Sequence, residues 1–312
     1  MPSKKRPMSI AKRTLLSISL SISLSLVSSL SFAKMYQLPE DGARVIGRME
    51  NHVVEQGETM ANIAKRYDVG MLALMAANKG VDPFLPQDGH VLTIPTQLIL
   101  PDVPHKGIVI NLAELRLYYF PENENVVHVF PVGIGRIGRD TPEMTTSISQ
   151  KRPNPTWTPP ASIRAEYKAK GIDLPAVVPA GPDNPLGMFA LRLAYGHGEY
   201  LIHGTNKDFG IGMRVSAGCI RMDPRDIEWL FDKVRRGEKV KIINQPVKVA
   251  LEPDRSVFVE AHEPLTRSNG EKDHLVIPKE LDWWLDEFGM TNAKAKAAIA
   301  AQNGVPVEIT AP

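Results

Sequence analysis

A chain of 312 residues that holds one cysteine, Cys219, can form no intramolecular disulfide. Its fold must rest on burial and hydrogen bonding alone, even in an oxidising compartment. That constraint matters because residues 1–33 read as an export signal. Lys4, Lys5, Arg6, Lys12 and Arg13 form a basic start, an apolar and serine-rich run follows from Leu15 to Leu30, and Ser31-Phe32-Ala33 fits a small-x-small cleavage site after Ala33. The run alternates Ser with Leu or Ile and is marginal for a span of ~20 apolar residues, so cleavage is expected over anchoring. No later segment is long and apolar enough to cross a bilayer, and no lipobox cysteine exists. Removing the signal takes away five Lys/Arg and no Asp/Glu, which turns a formal net charge of +2 into −3. A mature chain so near neutral gives no sign of a nucleic-acid partner. About 280 residues remain, enough for two domains with a real core.

The lone thiol sits in Ser216-Ala217-Gly218-Cys219-Ile220-Arg221-Met222, sixteen residues after His203. A thiol is a strong nucleophile as thiolate, and an imidazole can supply that form by taking the proton. Gly218 would let a ligand approach the backbone, and amides around such a turn could hold an oxyanion. In an extended strand Arg221 would share a side with Cys219, where a cation favours thiolate or binds a carboxylate. Ser216 could hydrogen-bond at the rim. Tyr200-Leu201-Ile202-His203 reads as a strand ending at Gly204. By residue type, a lone cysteine is more often a small buried apolar group, and a lone histidine more often structural. Here Gly and Arg bracket the thiol, which is not a core pattern. The residues alone leave a Cys/His acyl-transfer site and a structural cysteine both open. His197, the rival base, lies between Gly196 and Gly198 in what reads as an exposed hairpin tip.

His203-Gly204-Thr205 with the block Ser216 to Met222 resembles the signature of the L,D-transpeptidases, the YkuD-type catalytic domain. The strand pair in Gly107 to Tyr119, and the blocks Pro153 to Pro159 and Val178 to Gly187, resemble the enterobacterial-type branch that joins Braun lipoprotein to peptidoglycan. Much of the wider family has His directly before the Gly-Cys pair, where this chain has Ala217. The resemblance implies an α+β, mostly β fold, with a YkuD-like β-sandwich catalytic domain over 106–244. It implies that Cys219 is the nucleophile, that His203 is the base and that the Gly204 carbonyl orients it. Amides near Gly218 and Cys219 would stabilise the oxyanion, with Ser216 and Arg221 in support or substrate binding. The implied substrate is a peptidoglycan tetrapeptide stem, cut at the meso-diaminopimelate carbonyl with release of D-Ala. The implied acceptor is the C-terminal lysine of Braun lipoprotein, with a second diaminopimelate or water as alternatives, and the implied compartment is the periplasm. No cofactor or metal is expected, since His, Asp and Glu lack paired metal-ligand spacing.

Residues 50–95 read as a small βααβ module: a strand at His52-Val53-Val54, a helix capped by Thr59 with Met60, Ile63, Ala64 and Tyr67 at helical spacing, a second helix from Val69 to Asn78, and a closing strand Val91 to Pro95. This order resembles a LysM domain, whose family binds peptidoglycan glycan. Pro95, Pro101 and Pro104 make residues 96–105 read as a stiff linker. Gly133 to Gly138 reads as a loop at the cleft, because no Gly-Lys-Ser/Thr follows it. Residues 150–187 read as a long irregular segment with a short helix over Ser162 to Lys170, the expected cap of the site. Asp223 to Val234 reads as an amphipathic helix and Val240 to Asn244 as the domain's last strand. The tail, 245–312, reads as an α+β subdomain with a hairpin around Pro253-Asp254 and helices over Ile277 to Phe288 and Thr291 to Gln302. Packing of Trp283 and Trp284 against the catalytic domain is expected.

Overall fold

The runs around Ile108, Tyr118 and Val127 are apolar on both strand faces, and a computed structural model shows both faces buried. It describes Met1 and residues 34–207, 209–289 and 292–310; the export-signal reading of 1–33 lies outside them. The chain begins with β1 (Lys34–Gln37), β2 (Val45–Gly47) and β3 (Glu50–Val53), then helices α1 (Met60–Arg66) and α2 (Met71–Ala77), then β4 (Val91–Ile94) and β5 (Gln97–Ile99). Next come β6 (Gly107–Asn111), β7 (Arg116–Phe120), β8 (Val126–Pro131), β9 (Ile134–Gly135) and β10 (Met144–Pro153). After α3 (Ala161–Ala169) follow β11 (Phe189–Leu193), β12 (Leu201–His203), β13 (Arg214–Ser216), β14 (Ile220–Arg221), α4 (Pro224–Lys233) and β15 (Lys239–Ile243). The chain closes with β16 (Val247–Leu251), β17 (Val257–Ala261), α5 (Lys279–Glu287), α6 (Asn292–Ala301) and β18 (Val307–Glu308).

Nine strands make one sheet in the order β1-β8-β7-β6-β15-β10-β11-β12-β14. Only β6–β15 and β12–β14 pair in parallel within it. The sheet curls around a core that joins both of its halves: Ile108, Leu117 and Phe130 from one, Leu191, Ile202 and Ile220 from the other, with Ile227 and Leu230 of α4 packed in. Alternate residues Val109, Tyr118, Phe120, Val127 and Val129 point the other way into a second core, covered by Tyr36, Ile46, Leu98 and Leu100. This two-sided burial is why these strands are continuously apolar. The mostly β, α+β fold class expected from the sequence is the one that forms.

In the N-terminal module β3 and β4 pair antiparallel, His52 opposite Leu92. Thr59 Oγ1 accepts from the Asn62 amide at 3.3 Å and starts α1. Met60, Ile63, Leu74, Leu92 and Ile94 form the module's core. Residues 96–105 are not a free spacer. They carry β5, which pairs with β2; Leu98 and Leu100 are buried in the second core, and Ile99 between them is buried too. Prolines set the ends of this segment, but its apolar middle decides where it goes. Two other expectations also shift. Strand β10 runs on to Pro153, pairing with β11, so the irregular segment starts later than residue 150. Trp284 packs on the tail's own core of Val247, Val259, Leu281 and Leu285, while Trp283 is 59% exposed. Successive helix positions face different directions, so one helix buries one of the two rings, and it does so within the tail rather than on the nine-stranded sheet.

One buried polar cluster ties the tail, β5 and the nine-stranded sheet together. Lys248 Nζ lies 3.0 Å from Glu114 and 3.1 Å from Glu260. Arg116 Nη1 donates to the same two carboxylates at 2.9 and 3.1 Å. The Tyr118 hydroxyl donates to Glu114 at 2.5 Å, His262 Nε2 donates to Glu260 at 2.7 Å, and the Ile99 amide donates to Glu260 at 2.6 Å. Lys248 also donates to the Ile99 carbonyl. Burial pushes both carboxyls up, but Lys248 and Arg116 outweigh it and hold Glu114 and Glu260 below the ordinary carboxylate range. Carboxyls depressed in the folded state contribute stability that is complete above their unfolded value of about 4.3 and lost as pH falls through the folded values. Lys248→Met should leave two buried anions short of a partner and cost about 3–5 kcal/mol. Urea unfolding at pH 7 measures this, and an unchanged midpoint would show that the cluster does not hold the tail.

Candidate active site

Ile202 and Ile220 face each other across the parallel pair β12–β14, and both point into the core. Strand pleating sends their neighbours to the opposite face. His203 and Arg221 are therefore in register on the outer face, and Cys219 stands in the bend that leads directly into β14. His203 is buried. Its carbonyl accepts from the Met222 amide at 2.9 Å, and the Gly204 amide donates to Phe189 at 3.1 Å, so the backbone on either side of the imidazole is fixed. The His203 Nδ1–H donates to the Gly204 carbonyl at 2.6 Å. A carbonyl can only accept, so Nδ1 carries the proton and Nε2 presents a lone pair.

The turn carrying the thiol is held from three sides. The Ser216 hydroxyl accepts from the Gly218 amide at 3.1 Å and donates to the Cys219 carbonyl at 2.5 Å. Thr141 Oγ1 donates to the Gly218 carbonyl at 2.9 Å and accepts from the Gly135 amide at 3.0 Å. Gly218 has φ +112°, a conformation open to glycine and strained for other residues. Its amide is already engaged by Ser216, so in this geometry it is not free to meet an oxyanion. Ala217 is exposed. Cys219 is half-buried, and its Sγ lies 3.5 Å from the Glu199 carbonyl.

Burial pulls the His203 imidazole down to about 4, with the Gly204 carbonyl pulling it back and Arg221 pushing it further down. Burial pushes the Cys219 thiol up; the Leu201 amide lowers it, the Glu199 carboxylate raises it and Arg221 lowers it. At neutral pH the resting pair is thus thiol and neutral imidazole, not thiolate and imidazolium. Arg221 exchanges backbone bonds with Gly133 at 2.8 Å, and its buried Nε has no hydrogen-bond partner among the described residues.

A cover lies over this face. Helix α3 is tethered by Arg136, whose guanidinium grips Glu166 with both terminal nitrogens, and by Arg139, which donates to Ser162 Oγ at 2.8 Å. The Arg136 amide in turn donates to the Ser216 carbonyl at 3.0 Å, linking cover to thiol turn. The return loop is organised by buried Asn184, which donates to the Pro155 and Pro179 carbonyls and accepts from the Leu186 amide. At Gly187 (φ +67°) a Cβ would fall 2.9 Å from the Thr205 amide, so the loop lies directly on the backbone following His203. His197, with an exposed side chain, sits at the β11–β12 tip, where its amide donates to Glu199 at 2.7 Å. Thr141, Glu199, Arg136 and Arg139 have no local sequence signal; Thr141 reaches across 77 positions to Gly218. Glu114, Glu260 and His262 bring ligand atoms within 4.8 Å of one another. The Lys248 ammonium already lies between the two carboxylates, in the place a metal cation would take.

Three family models match the chain: an L,D-transpeptidase catalytic domain (YkuD) over residues 105–242, an L,D-transpeptidase C-terminal domain over 246–309 and a LysM domain over 52–95. The chain is 52% identical over 284 residues to the Escherichia coli (strain K12) protein named "Probable L,D-transpeptidase YcfS", covering 89% of this chain and 88% of that one. It is 45% identical over 289 residues to "Probable L,D-transpeptidase YbiS" of the same strain, with 90% and 94% covered. It is 45% identical over 294 residues to "Probable L,D-transpeptidase ErfK/SrfK" of Salmonella typhimurium (strain LT2), with 92% and 94% covered. The tail, in which the sequence alone showed no chemistry, is thus a domain type of its own.

A raised thiol has a simple signature. Alkylation of Cys219 by iodoacetamide should keep climbing with pH beyond the ordinary thiol value of about 8.5. Arg221→Met removes a cation that lowers the thiol and should slow alkylation further at pH 7. A rate plateau near pH 6 in the unmodified chain would reveal a thiolate–imidazolium pair instead.

Proposed function

The chain belongs to the L,D-transpeptidase family, as an enzyme of the YcfS, YbiS and ErfK/SrfK type, and from that premise we propose how its residues divide the reaction. The observation that carries the proposal is the Nδ1–H bond from His203 to the Gly204 carbonyl, which leaves Nε2 as a base at the end of β12, the strand that pairs with β14 directly after Cys219. Cys219 attacks the meso-diaminopimelate carbonyl of a peptidoglycan tetrapeptide stem while His203 Nε2 takes the thiol proton. The Cys219 amide is the backbone donor for the oxyanion, since Ser216 already occupies that of Gly218. Collapse of the tetrahedral intermediate breaks the amide to D-Ala, and the imidazolium returns its proton to the leaving amine. The thioester is then attacked by an acceptor amine, His203 takes that amine's proton, and the thiol is regenerated with the new amide. Arg221, with its buried and unpartnered Nε, binds a carboxylate or carbonyl of the donor stem. Ser216 and Thr141 hold the thiol turn in shape.

The acceptor is the C-terminal lysine of Braun lipoprotein, a reading supported by the blocks at Pro153 to Pro159 and Val178 to Gly187. The second of these folds onto the backbone beside His203. The LysM module holds peptidoglycan glycan, and export with cleavage after Ala33 delivers the enzyme to the periplasm. No helix among the described residues is long and apolar enough to cross a membrane.

Mass spectrometry tests the division of roles. The mature chain, incubated with a disaccharide-tetrapeptide and a lysine-ended lipoprotein peptide, should release D-Ala and form a peptide–muropeptide adduct. Cys219→Ala should abolish both, and His203→Ala should slow both by ~10²–10⁴-fold. D-Ala loss without an adduct would reassign the acceptor to water or another amine. Full activity in Cys219→Ala would end the nucleophile assignment.

A further inference from the structure

A cavity of about 620 Å³ lies between the LysM module and the catalytic domain, within the range of small-ligand sites. Its first wall is α1 and the turn after it, with Ala61, Lys65 and Val69. Its second wall is the loop that leaves His203, with Thr205, Lys207 and Ile211. Its floor is the first turn of α4, with Asp223 and Asp226. It holds neither His203 nor Cys219, yet Thr205 stands two residues from the base.

The walls are locked together by backbone. The Leu72 amide donates to the Gly212 carbonyl at 3.2 Å, and a Cβ on Gly212 would fall 2.2 Å from Gly70 Cα. The LysM module is therefore seated on the loop between base and nucleophile, with no room for a side chain at the contact. Asp226 is 4% exposed and lines the cavity. Burial and the neighbouring carboxylates of Asp68 and Asp223 push its carboxyl up to about 8, so near neutral pH it can both donate and accept a hydrogen bond. Apolar Val69, Met71 and Ile211 alternate with these polar groups, while Lys65, Lys207 and Arg225 are exposed at the mouth. A protonated carboxyl at depth suits a neutral hydroxyl or acetamido group, apolar walls suit the C–H faces of sugar rings, and a cationic mouth suits an acidic substituent.

We propose that this interdomain cavity is a saccharide subsite, which holds the amino-sugar units bearing the donor stem and so presents that stem to the neighbouring catalytic face. The proposal rests on the peptidoglycan reading above and adds a place for the sugar that is built jointly by both domains. Each wall can be blocked from an exposed position, by Ala61→Trp from α1 or by Asn206→Trp from the loop. D-Ala release is measured with two donors, a bare tetrapeptide and the same tetrapeptide on its disaccharide, and a peptide-free disaccharide is titrated by NMR. The mature chain should show a KM about tenfold lower for the disaccharide donor. Either Trp variant should erase that advantage and leave kcat and KM for the bare peptide unchanged. Asp226→Leu should erase it too, while Asp226→Asn, which keeps a donor and an acceptor, should retain it; thermal melting confirms that each variant is folded. Equal KM values for the two donors, or an advantage that survives both Trp variants, would overturn the proposal. Should neither donor turn over, the reaction assignment fails, and the titration still decides the subsite. Shifts at Lys65 and Lys207 that vanish in the Trp variants support it, and their absence in the unmodified chain overturns it.

Discussion

Two carboxylates, Glu114 and Glu260, stay ionised in an interior that would otherwise reject them, because Lys248 and Arg116 stand against both. In a chain that cannot be stapled by disulfides, this cluster acts as the cross-link. Its members come from the β6–β7 turn region, from the tail strands β16 and β17 and, through the Ile99 amide and carbonyl, from β5. Breaking any one partner strands the others, so the segments hold or fail together. An apolar replacement could match its stability. It would not match its specificity, because bonds from Lys248, Arg116, Tyr118, His262 and Ile99 must all be met in one arrangement. The tail is thereby joined to the catalytic sheet through polar geometry, while its own core of Val247, Val259 and Leu281 remains separate.

The catalytic face obeys the opposite logic. There, burial is left uncompensated: His203 has only a carbonyl for Nδ1, and Cys219 has backbone contacts in place of an ion pair. Burial costs charge on both groups, and Arg221 pushes the imidazole the same way. A pair kept neutral at rest puts the cost of charge separation into the attack itself, when the developing oxyanion can share it. In the role proposed for His203, a neutral imidazole is also ready as a base throughout the neutral range, because its value near 4 lies well below it.

Much of this was legible in the chain. The single thiol flanked by Gly218 and Arg221, and a histidine ending an apolar strand, pointed to the candidate site, and the apolar period marked α1, α4 and the strands around the core. What was not legible depends on long-range register. No local pattern says that Thr141 meets Gly218, that Arg136 and Arg139 reach α3, or that the apolar middle of 96–105 pairs with β2 instead of bridging two bodies. Prolines there read as stiffness, whereas burial of Leu98, Ile99 and Leu100 decided the outcome. Trp283-Trp284 failed as a pair for a related reason: composition names a surface, but only helix phase says which ring is inside.

The separation of sixteen positions between His203 and Cys219 follows from topology. Strands β12 and β14 are parallel neighbours, and parallel neighbours need a crossover of about a dozen residues or more. Such crossovers are usually helices packed on the sheet. Here the crossover is a loop and the short strand β13, which pairs with β9 and leaves the middle of the connection without a ladder of its own. The Gly70–Gly212 contact and the Leu72 amide supply the missing support from outside the domain. The module does not hang from the domain as a tether; it is part of the scaffold between His203 and Cys219. The LysM module and the connection from His203 to Cys219 therefore meet in one loop.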